Sequence, residues 1–482
     1  MMHHDLHLKS RRQWLQQTGL GFGSLALAGM CAEKASADLL APRAPHRDGP
    51  AKRVIMLFME GGQSQMDLFD PKPELRNIDG QLVDKKNGNG LRYKGSPVKF
   101  RACGQSGLEL GSVWQSLAEH ADRLCLIRSM TTDTNNHSNA MLAMHTGSQN
   151  FVRPSVGAWV AYGLGTDSKS LPGFVTLRPA RAHGSRVYSN AFLPAIYQGT
   201  PLGSDGVPAR ELSMADLQNA RWSAQAQRHM LDFTQARNRE LLATGGSTPE
   251  MEGLIQSYER AFRLQFEATN LFDLSNESRH VLDLYGVDQT ETDDFGRMCI
   301  LARRFAEAGV RFIQLNHPGW DHHGNIDASL PNTCRAVDQP MAALLTDLAQ
   351  RGLLDDTLVV SSSEFGRTAT AEGSFETAGR NHNSKAFTVW MAGGGARGGM
   401  TYGATDPLGV EAVEKKAEKK AEAEPKQKPK APKTSTARRK TPKRRTAAKV
   451  DKDAPPDVQP LLATLKNVRD EVEKILDDLK AQ

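Results

Sequence analysis

The chain has 482 residues, of which 39% are hydrophobic, and its formal net charge is +6. Residues 411–453 alone carry a charge of +9, which leaves about −3 for the rest of the chain. This length allows one large α/β domain with insertions or two domains, and the near-neutral remainder excludes a fold that is basic throughout.

The cysteines contain no CxxC pair and no zinc-finger spacing. They are Cys31, Cys103, Cys125, Cys299 and Cys334. Four of them follow the N-terminal segment that we expect to be removed, a number that permits disulfides without requiring them. Buried thiols that act as small hydrophobic side chains are the other interpretation.

Residues 1–37 predict an export signal. Arg11 and Arg12 precede an apolar, glycine-rich run over residues 19–30, and Ala-Ser-Ala at residues 35–37 offers a cleavage site. The paired arginines match a twin-arginine signal, with a Sec signal behind a basic N-terminus as the alternative. The run is too short and too rich in glycine for a transmembrane helix. We therefore expect twin-arginine export to the periplasm or the exterior, and no transmembrane span in the mature chain.

Beyond a linker over residues 38–52, apolar and amphipathic runs predict an α/β domain over residues 53–409. Strands are predicted over residues 53–59, 124–127, 310–315, 358–363 and 386–392, and helices over residues 108–120, 295–308 and 334–351. A further helix begins at residues 136–138, which can supply an N-cap. Residues 210–275 are helical in pattern and are predicted to be a helical insertion.

Polar side chains follow three of the predicted strands at the point where each strand ends. They are Glu60, Ser64 and Asp67 after the first strand, His317, Asp321, His322 and His323 after the strand over residues 310–315, and Glu364 and Arg367 after the strand over residues 358–363. A predicted loop that carries Arg380, Asn381 and His382 precedes the last strand. Because ligands of open α/β sheets bind at the carboxyl ends of strands, these segments are predicted to share one polar site.

The helix that begins at residues 136–138 adds a second kind of group to this site. Free backbone N–H groups at a helix N-terminus bind anions. His137 and Ser138 would lie at the mouth of that anion site.

The chain after residue 409 has a different character. Residues 410–458 are Lys, Ala, Pro and Glu in long runs, too polar to bury a core, and are predicted to be disordered. A solvated linker, a segment that binds an anionic polymer and a nucleic-acid-binding segment are the three interpretations, of which the last fits an exported protein least. Residues 459–482 place apolar residues at alternating steps of four and three, which predicts a short coiled-coil-like helix and a possible homo-oligomer.

Taken together, several stretches resemble the domain of unknown function 1501 family, secreted bacterial proteins placed near the alkaline phosphatase and sulfatase superfamily. The stretches span residues 53–409 and are VIMLFMEGGQSQMDLFDPKP, NHSNAMLAMHTG, FGRMCILARRFAEAGVRFIQLNHPGWDHHGN, SSSEFGRT, GRNHNSKAFTVWMAGGGARGG and YGATDPLG. The resemblance implies a doubly wound, mostly parallel sheet of the alkaline phosphatase and sulfatase type, with a metal site at its carboxyl edge.

Carried over by position, the resemblance also implies roles for individual residues. The implied metal ligands are Glu60, Asp321, His323, Glu364 and His382. His137 and Ser138 stand at the place of the nucleophile. Apart from the resemblance, Ser64, Arg367 and Arg380, at the strand ends and in the predicted loop, are predicted to bind the substrate. Oxygen and imidazole ligands suit divalent zinc, manganese, magnesium or calcium.

The sequence also departs from the superfamily pattern. Phe365 stands where a second metal would have its histidine, which argues against a two-metal site. No Cys-x-Pro-x-Arg signature is present, which argues against a formylglycine sulfatase and leaves His137 open as nucleophile, ligand or structural histidine. The helix with an Asp and a His that usually follows YGATD is replaced by the basic tail.

Two functions follow as expectations. The first is an exported, metal-dependent hydrolase of sulfate or phosphate esters, whose partner would be a sulfated or phosphorylated small molecule or glycan. The second is a catalytically inactive relative that binds anionic polymers at the cell envelope.

Overall fold

The computed structural model describes residues 39–45, 48–83, 90–212, 222–245 and 249–413. The predicted export signal, most of the predicted basic tail and the predicted C-terminal helix lie outside these residues. Among the helices of the described ranges, none is long and apolar enough to cross a membrane.

The described residues form fourteen strands and nine α-helices. The strands are β1 (Arg53–Met59), β2 (Phe100–Cys103), β3 (Leu108–Gly111), β4 (Cys125–Met130), β5 (Phe174–Leu177), β6 (Thr200–Leu202), β7 (Phe312–His317), β8 (Thr357–Ser362), β9 (Gly366–Glu372), β10 (Gly379–Asn383), β11 (Phe387–Ala392), β12 (Met400–Tyr402), β13 (Ala404–Thr405) and β14 (Ala412–Val413). The helices are α1 (Gln65–Leu68), α2 (Pro73–Asn77), α3 (His137–Thr146), α4 (Val156–Leu164), α5 (Ala224–Gly245), α6 (Pro249–Phe272), α7 (Arg279–Leu284), α8 (Asp293–Glu307) and α9 (Ile326–Gln350).

One eight-stranded sheet organises these elements, in the order β12-β4-β11-β8-β1-β7-β5-β6. The pairs β8–β1, β1–β7, β7–β5 and β5–β6 are parallel, and β11 runs antiparallel to both of its neighbours. The predicted α/β fold with a mostly parallel sheet is confirmed.

Core side chains cover both faces of strand β1, which explains why its sequence is continuously apolar. On one face Ile55, Leu57 and Met59 join the largest core cluster, which contains residues of α8 and α9. On the other face Met56 and Phe58 join a second cluster with residues of α3 and β5. The carboxyl end of β1 is therefore held between helical layers and faces outward at the edge of the sheet.

Three predicted elements differ in the structure. Residues 108–120 were predicted to be helical, but Leu108 and Leu110 are buried in alternation in β3, and a 3-10 helix follows over Leu117–Arg123. The backbone N–H groups that precede and begin this 3-10 helix donate to Asp338, which fixes the turn. The helix predicted over residues 334–351 begins earlier, at Ile326, and contains Pro331 and Pro340.

The third difference concerns the predicted loop that carries His382. Residues 379–383 form strand β10, which pairs antiparallel with β9 in a hairpin outside the main sheet. Strand register therefore determines where the side chains of this hairpin lie. The polar sequence between two apolar runs did not predict a strand here.

The four cysteines within the described residues are free and buried. The interpretation of these thiols as small hydrophobic side chains is confirmed, and burial raises the pKa of the Cys299 and Cys334 thiols well above their usual range.

Candidate metal centre

Three strand ends meet at the carboxyl edge of the sheet. β1 is followed by Glu60 and Gly61, β7 by the segment with Asp321, and β8 by Glu364. At Gly61, φ is +122°, and a Cβ atom there would lie 2.6 Å from the Asp321 backbone nitrogen. Only glycine permits this close approach of the two turns.

Four side chains converge beside these strand ends. His137, Asp321, His323 and His382 each offer one ligand atom, and all four atoms lie within 4.8 Å of one another. Asp321 Oδ1 is 2.8 Å from His323 Nε2 and 3.2 Å from His382 Nε2, while Asp321 Oδ2 is 3.2 Å from His137 Nε2. We call these four residues the metal centre.

Each imidazole of the metal centre is oriented by an oxygen on its outer side. The Nδ1 atoms of His137, His323 and His382 lie 2.7 Å from Glu364 Oε1, 2.5 Å from Glu372 Oε2 and 2.7 Å from the Asn135 carbonyl oxygen, respectively. Because each Nδ1 faces an acceptor, it carries the proton, and the Nε2 lone pair points inward. Metal-ligating histidines in proteins have this arrangement.

The inward-facing nitrogens lie close together and favour a proton or a metal ion between them. His323 Nε2 and His382 Nε2 are 2.9 Å apart, and two unprotonated nitrogens at that distance repel each other. His137 Nε2 is buried and lies 3.2 Å from Asp321 Oδ2. Burial lowers the pKa of His137, but the carboxylates of Asp321 and Glu364 outweigh it and raise the pKa to about 9. A proton or a metal ion can satisfy this arrangement, and three nitrogens with one carboxylate suit a divalent transition metal.

Arg367 donates a hydrogen bond to one residue of the metal centre. Its side chain is fully buried, and its Nη2 donates to Asp321 Oδ1 at 2.5 Å. Burial alone would raise the pKa of Asp321, but hydrogen bonds from His137, His382 and Arg367 hold it well below its usual range. Asp321 is therefore ionised throughout the neutral range and is a competent anionic ligand.

A buried ion pair anchors the hairpin. Arg380 donates to both Asp67 oxygens, at 2.7 and 3.0 Å, and both side chains are fully buried. Ser64 Oγ donates to Asp67 Oδ2 at 2.5 Å. Since Arg380 lies two residues before His382, this pair fixes the register that turns His382 into the metal centre.

The predicted site residues thus fall into three groups. Asp321, His323 and His382 lie together as predicted, and His137, predicted at the place of the nucleophile, lies with them. Glu364 is not one of the four converging residues. Its carboxylate accepts from the Gly61 N–H at 2.9 Å and orients His137. Glu60 is not one of the four converging residues, and burial together with the nearby Glu364 carboxylate raises its pKa to about 7.

The remaining predicted residues are placed differently. Ser138 is exposed in the first turn of α3. Ser64, Arg367 and Arg380, predicted to bind substrate, are buried and make their described hydrogen bonds to the protein. Their role toward a substrate stays a prediction.

Sequence reasoning missed two contributors, Glu372 and Asn135. Glu372 lies in β9 and orients His323, and Asn135 orients His382 through its backbone carbonyl. Any residue has a backbone carbonyl, so the residue type at position 135 does not indicate this contact. Glu372 lies in none of the motifs described in the sequence.

Phe365 packs against two of the imidazoles. Its buried ring packs against the imidazoles of His137 and His382, with centroids at 4.8 and 4.5 Å. A hydrocarbon ring cannot ligate a metal ion, and the resemblance implied a histidine of a second metal at this position.

The sequence matches a family model described as "Protein of unknown function (DUF1501)" over residues 51–421. The chain belongs to the DUF1501 family. The resemblance predicted from the sequence motifs is thereby confirmed at the level of the family, and twin-arginine export stays a prediction.

No curated protein matches this DUF1501 sequence. Among solved structures, it is similar to the alkaline phosphatase from the Antarctic bacterium TAB5, with 11% identity, 76% of this chain and 96% of that chain covered, and a TM-score of 0.32. It is also similar to the PsFucS1 sulfatase from Pseudoalteromonas sp., with 12% identity, 74% and 66% covered, and a TM-score of 0.32. Likenesses of this size support no conclusion about the activity of the DUF1501 chain.

Proposed function

We propose that this protein is a metal-dependent hydrolase of sulfate or phosphate esters, with one divalent ion held by His137, Asp321, His323 and His382. The observation that carries the proposal is the orientation of the three imidazoles. All three Nε2 atoms point at one carboxylate because every Nδ1 is bonded on the outside. The sequence resemblance to the alkaline phosphatase and sulfatase superfamily supports the choice of ester.

The ligand set narrows the choice of metal. Three imidazole nitrogens favour zinc or another transition metal, whereas magnesium and calcium prefer oxygen ligands. Asp321 and His323 are partly exposed, at 43% and 39% of their side-chain surface, so that the metal centre can be reached from solvent.

The proposed reaction replaces the bond between the alcohol oxygen and sulfur or phosphorus with a bond from a water oxygen, and the alcohol leaves with a proton. When bound, the divalent ion would supply Lewis-acid polarisation of the ester. Asp321 and the three histidines would hold the ion where solvent can reach it. Glu364 and Glu372 keep the imidazoles of His137 and His323 in the tautomer that can bind a metal. Phe365 excludes water from the inner side.

Elemental analysis and an ester panel test the proposal. We expect the purified mature protein to bind about one equivalent of a transition metal and to hydrolyse 4-nitrophenyl sulfate or 4-nitrophenyl phosphate in a chelator-sensitive manner. His382→Ala should weaken metal binding by more than the roughly 10–100-fold that the loss of an outer partner costs, and should lower hydrolysis in parallel.

His229→Ala is the matched control, because His229 is an exposed histidine on α5. It should bind metal and hydrolyse esters like the wild type. Stoichiometric metal without hydrolysis of either ester would instead favour the inactive, polymer-binding relative. A His382→Ala protein that keeps its metal would show that the assigned ligand set is wrong.

A further inference from the structure

A cavity of about 520 Å³ lies beside the metal centre. It is bounded by the β9–β10 hairpin, by residues 90–92 and by Asn135. Its volume is within the roughly 300–1,000 Å³ of small-molecule sites.

Two residues connect the cavity with the metal centre. His382, a proposed ligand, lines both, and Glu372 lines the cavity while its carboxylate orients His323. A molecule in the cavity therefore touches the metal centre from the hairpin side.

Neutral polar groups dominate the rest of the lining. They are the carboxamides of Asn135 and Asn381 and the hydroxyls of Thr368 and Thr370. The Asn381 side-chain oxygen accepts from the His382 N–H at 2.7 Å, which leaves its NH₂ group directed elsewhere. Within the described residues, the Asn135 carboxamide and the Thr370 hydroxyl make no hydrogen bond, so both are available to a ligand.

Apolar and charged groups complete the cavity. Leu91, Ala371 and the half-buried Phe375 ring provide apolar surface. Among the described residues that line the cavity, Arg92 is the one cationic side chain, and its Nη1 already donates to the Gly80 carbonyl at 2.6 Å. Glu372 adds a carboxylate, so these described lining residues carry no excess of positive charge.

We infer that this cavity binds the alcohol portion of the substrate, and that this alcohol is a sugar. The inference rests on the proposed function for the ester that the sugar would carry to the metal centre. Carboxamides and hydroxyls both donate and accept, as sugar hydroxyls do, and an aromatic ring can cover the C–H face of a pyranose. An aryl or alkyl alcohol would offer the carboxamides and hydroxyls of the lining fewer hydrogen-bond partners than a sugar does. Among the described lining residues, a polyanion would meet the Glu372 carboxylate and only one arginine, which already donates to the protein.

The test measures binding and turnover with metal-loaded, mature protein. The probes are galactose 6-sulfate and glucose 6-phosphate, with 4-nitrophenyl sulfate and 4-nitrophenyl phosphate as esters without a sugar. We expect the sugar ester of the hydrolysed anion to have a kcat/KM at least about 10-fold above that of its aryl counterpart, chiefly through a lower KM.

Two variants address the cavity itself. Asn135→Ala keeps the backbone carbonyl that orients His382, and Asn135→Ala combined with Thr370→Val should raise the Kd of the sugar ester by about 10-fold, the loss of two hydrogen bonds. Metal content should match the wild type, which separates a lost contact from a damaged fold. Asn150→Ala, at an exposed asparagine outside the cavity, is the control and should leave the Kd unchanged.

The outcomes separate the two proposals. If aryl esters are hydrolysed but sugar esters are neither better substrates nor bound through Asn135, the sugar inference is overturned and the proposed function stands. If sugar esters bind in an Asn135-dependent manner but no ester is hydrolysed, the cavity assignment stands and the proposed function fails. If no sugar ester binds the metal-loaded protein, the cavity assignment fails whatever the turnover.

Discussion

At the residue scale, the outer oxygens determine what the imidazoles can do. Glu364 and Glu372 are separated from His137 and His323 by long stretches of sequence, yet each holds one ring with Nε2 inward. A carboxylate partner also makes a ligating imidazole more basic and fixes its tautomer. Metal affinity should therefore depend on residues that never touch the ion.

Glu372→Gln tests this dependence. The amide oxygen can still accept from His323 Nδ1, but it lacks the charge that strengthens the ligand, so we expect zinc affinity to fall about 10–100-fold. Competition with a chromogenic chelator measures the Kd. Glu376→Gln, at an exposed glutamate four residues further on, is the control. A zinc Kd within two-fold of wild type in Glu372→Gln would contradict the assigned role.

A second residue-scale prediction concerns acid stability. His120 is buried, accepts from Arg123 at 2.8 Å and lies 3.0 Å from the Thr346 hydroxyl. Burial and the nearby Arg123 charge lower its pKa to about 4. Between that value and the ordinary histidine pKa of about 6.5, the unfolded chain binds a proton that the native protein does not, so the free energy of unfolding decreases as the pH falls.

His120→Gln should reduce this pH dependence. Up to about 1.4 kcal/mol per pH unit is expected from one histidine, and denaturant melts between pH 6.5 and 4 with a chelator present measure it. The comparison is between slopes, so a uniform loss of stability in the variant does not affect it. Equal slopes in the two proteins would contradict a neutral, buried His120.

At the element scale, the hairpin is the part that makes the site. β9 and β10 pair with each other outside the eight-stranded sheet, and buried arginines tie them to the segment after β1. Arg367 also donates to the Arg380 carbonyl at 2.9 Å, so the two arginines brace one another. The buried side chains of Arg367 and Arg380 thus set the position of His382.

Asp67→Asn tests this anchoring. It leaves the Arg380 guanidinium buried without its counter-charge, and breaking such a pair costs about 3–5 kcal/mol. We expect a lower melting temperature in the presence of chelator and weaker zinc binding, because His382 loses its fixed register.

Glu291→Gln provides the comparison at the surface. It removes an exposed ion pair with Arg335, which is worth at most about 1 kcal/mol. Equal effects of Asp67→Asn and Glu291→Gln on zinc affinity would show that the Asp67–Arg380 pair does not position the hairpin.

At the scale of the whole molecule, described secondary structure continues past the predicted domain boundary at residue 409. Asn383 Nδ2 donates to the Val410 carbonyl at 3.0 Å, and β14 pairs with β13. Asn383 is the last residue of β10 and follows His382 directly. Residues 410–413 are therefore connected to the metal centre through Asn383.

Two truncations separate the fold from the basic segment. Ending the chain after Val413 should leave the melting temperature nearly unchanged and abolish salt-sensitive retention on a polyanion column, because retention depends on the removed charges. Ending it after Gly409 should lower the melting temperature, since the contacts of residues 410–413 are lost. If both truncated proteins melt alike, residues 410–413 contribute nothing to the fold.

The sequence predicted most of the sheet and part of the metal centre. β1, β7 and β8 end where apolar runs meet polar residues, and this rule located Asp321 and His323. The rule could not show that Glu60 is not among the four converging residues, because it places a residue at a strand end without giving the direction of its side chain. It also could not find Glu372, whose contact with His323 depends on the register of a hairpin.

His137 shows a different limit. Its place at a helix N-terminus was predicted, but its role follows from three other segments that approach it in space. Long-range packing of this kind leaves no periodicity in the sequence, whereas the strands and helices do.

The separation of the four converging residues along the chain has a consequence in time. A ribosome delivers His137 first, then Asp321 and His323, and His382 only near the end of the domain. No shorter nascent chain holds the full ligand set, so tight metal uptake must wait until synthesis has passed residue 382. A molecule that held an ion through all four residues would therefore have been synthesised at least as far as His382, in the last part of the described chain, and the ion would distinguish it from shorter chains.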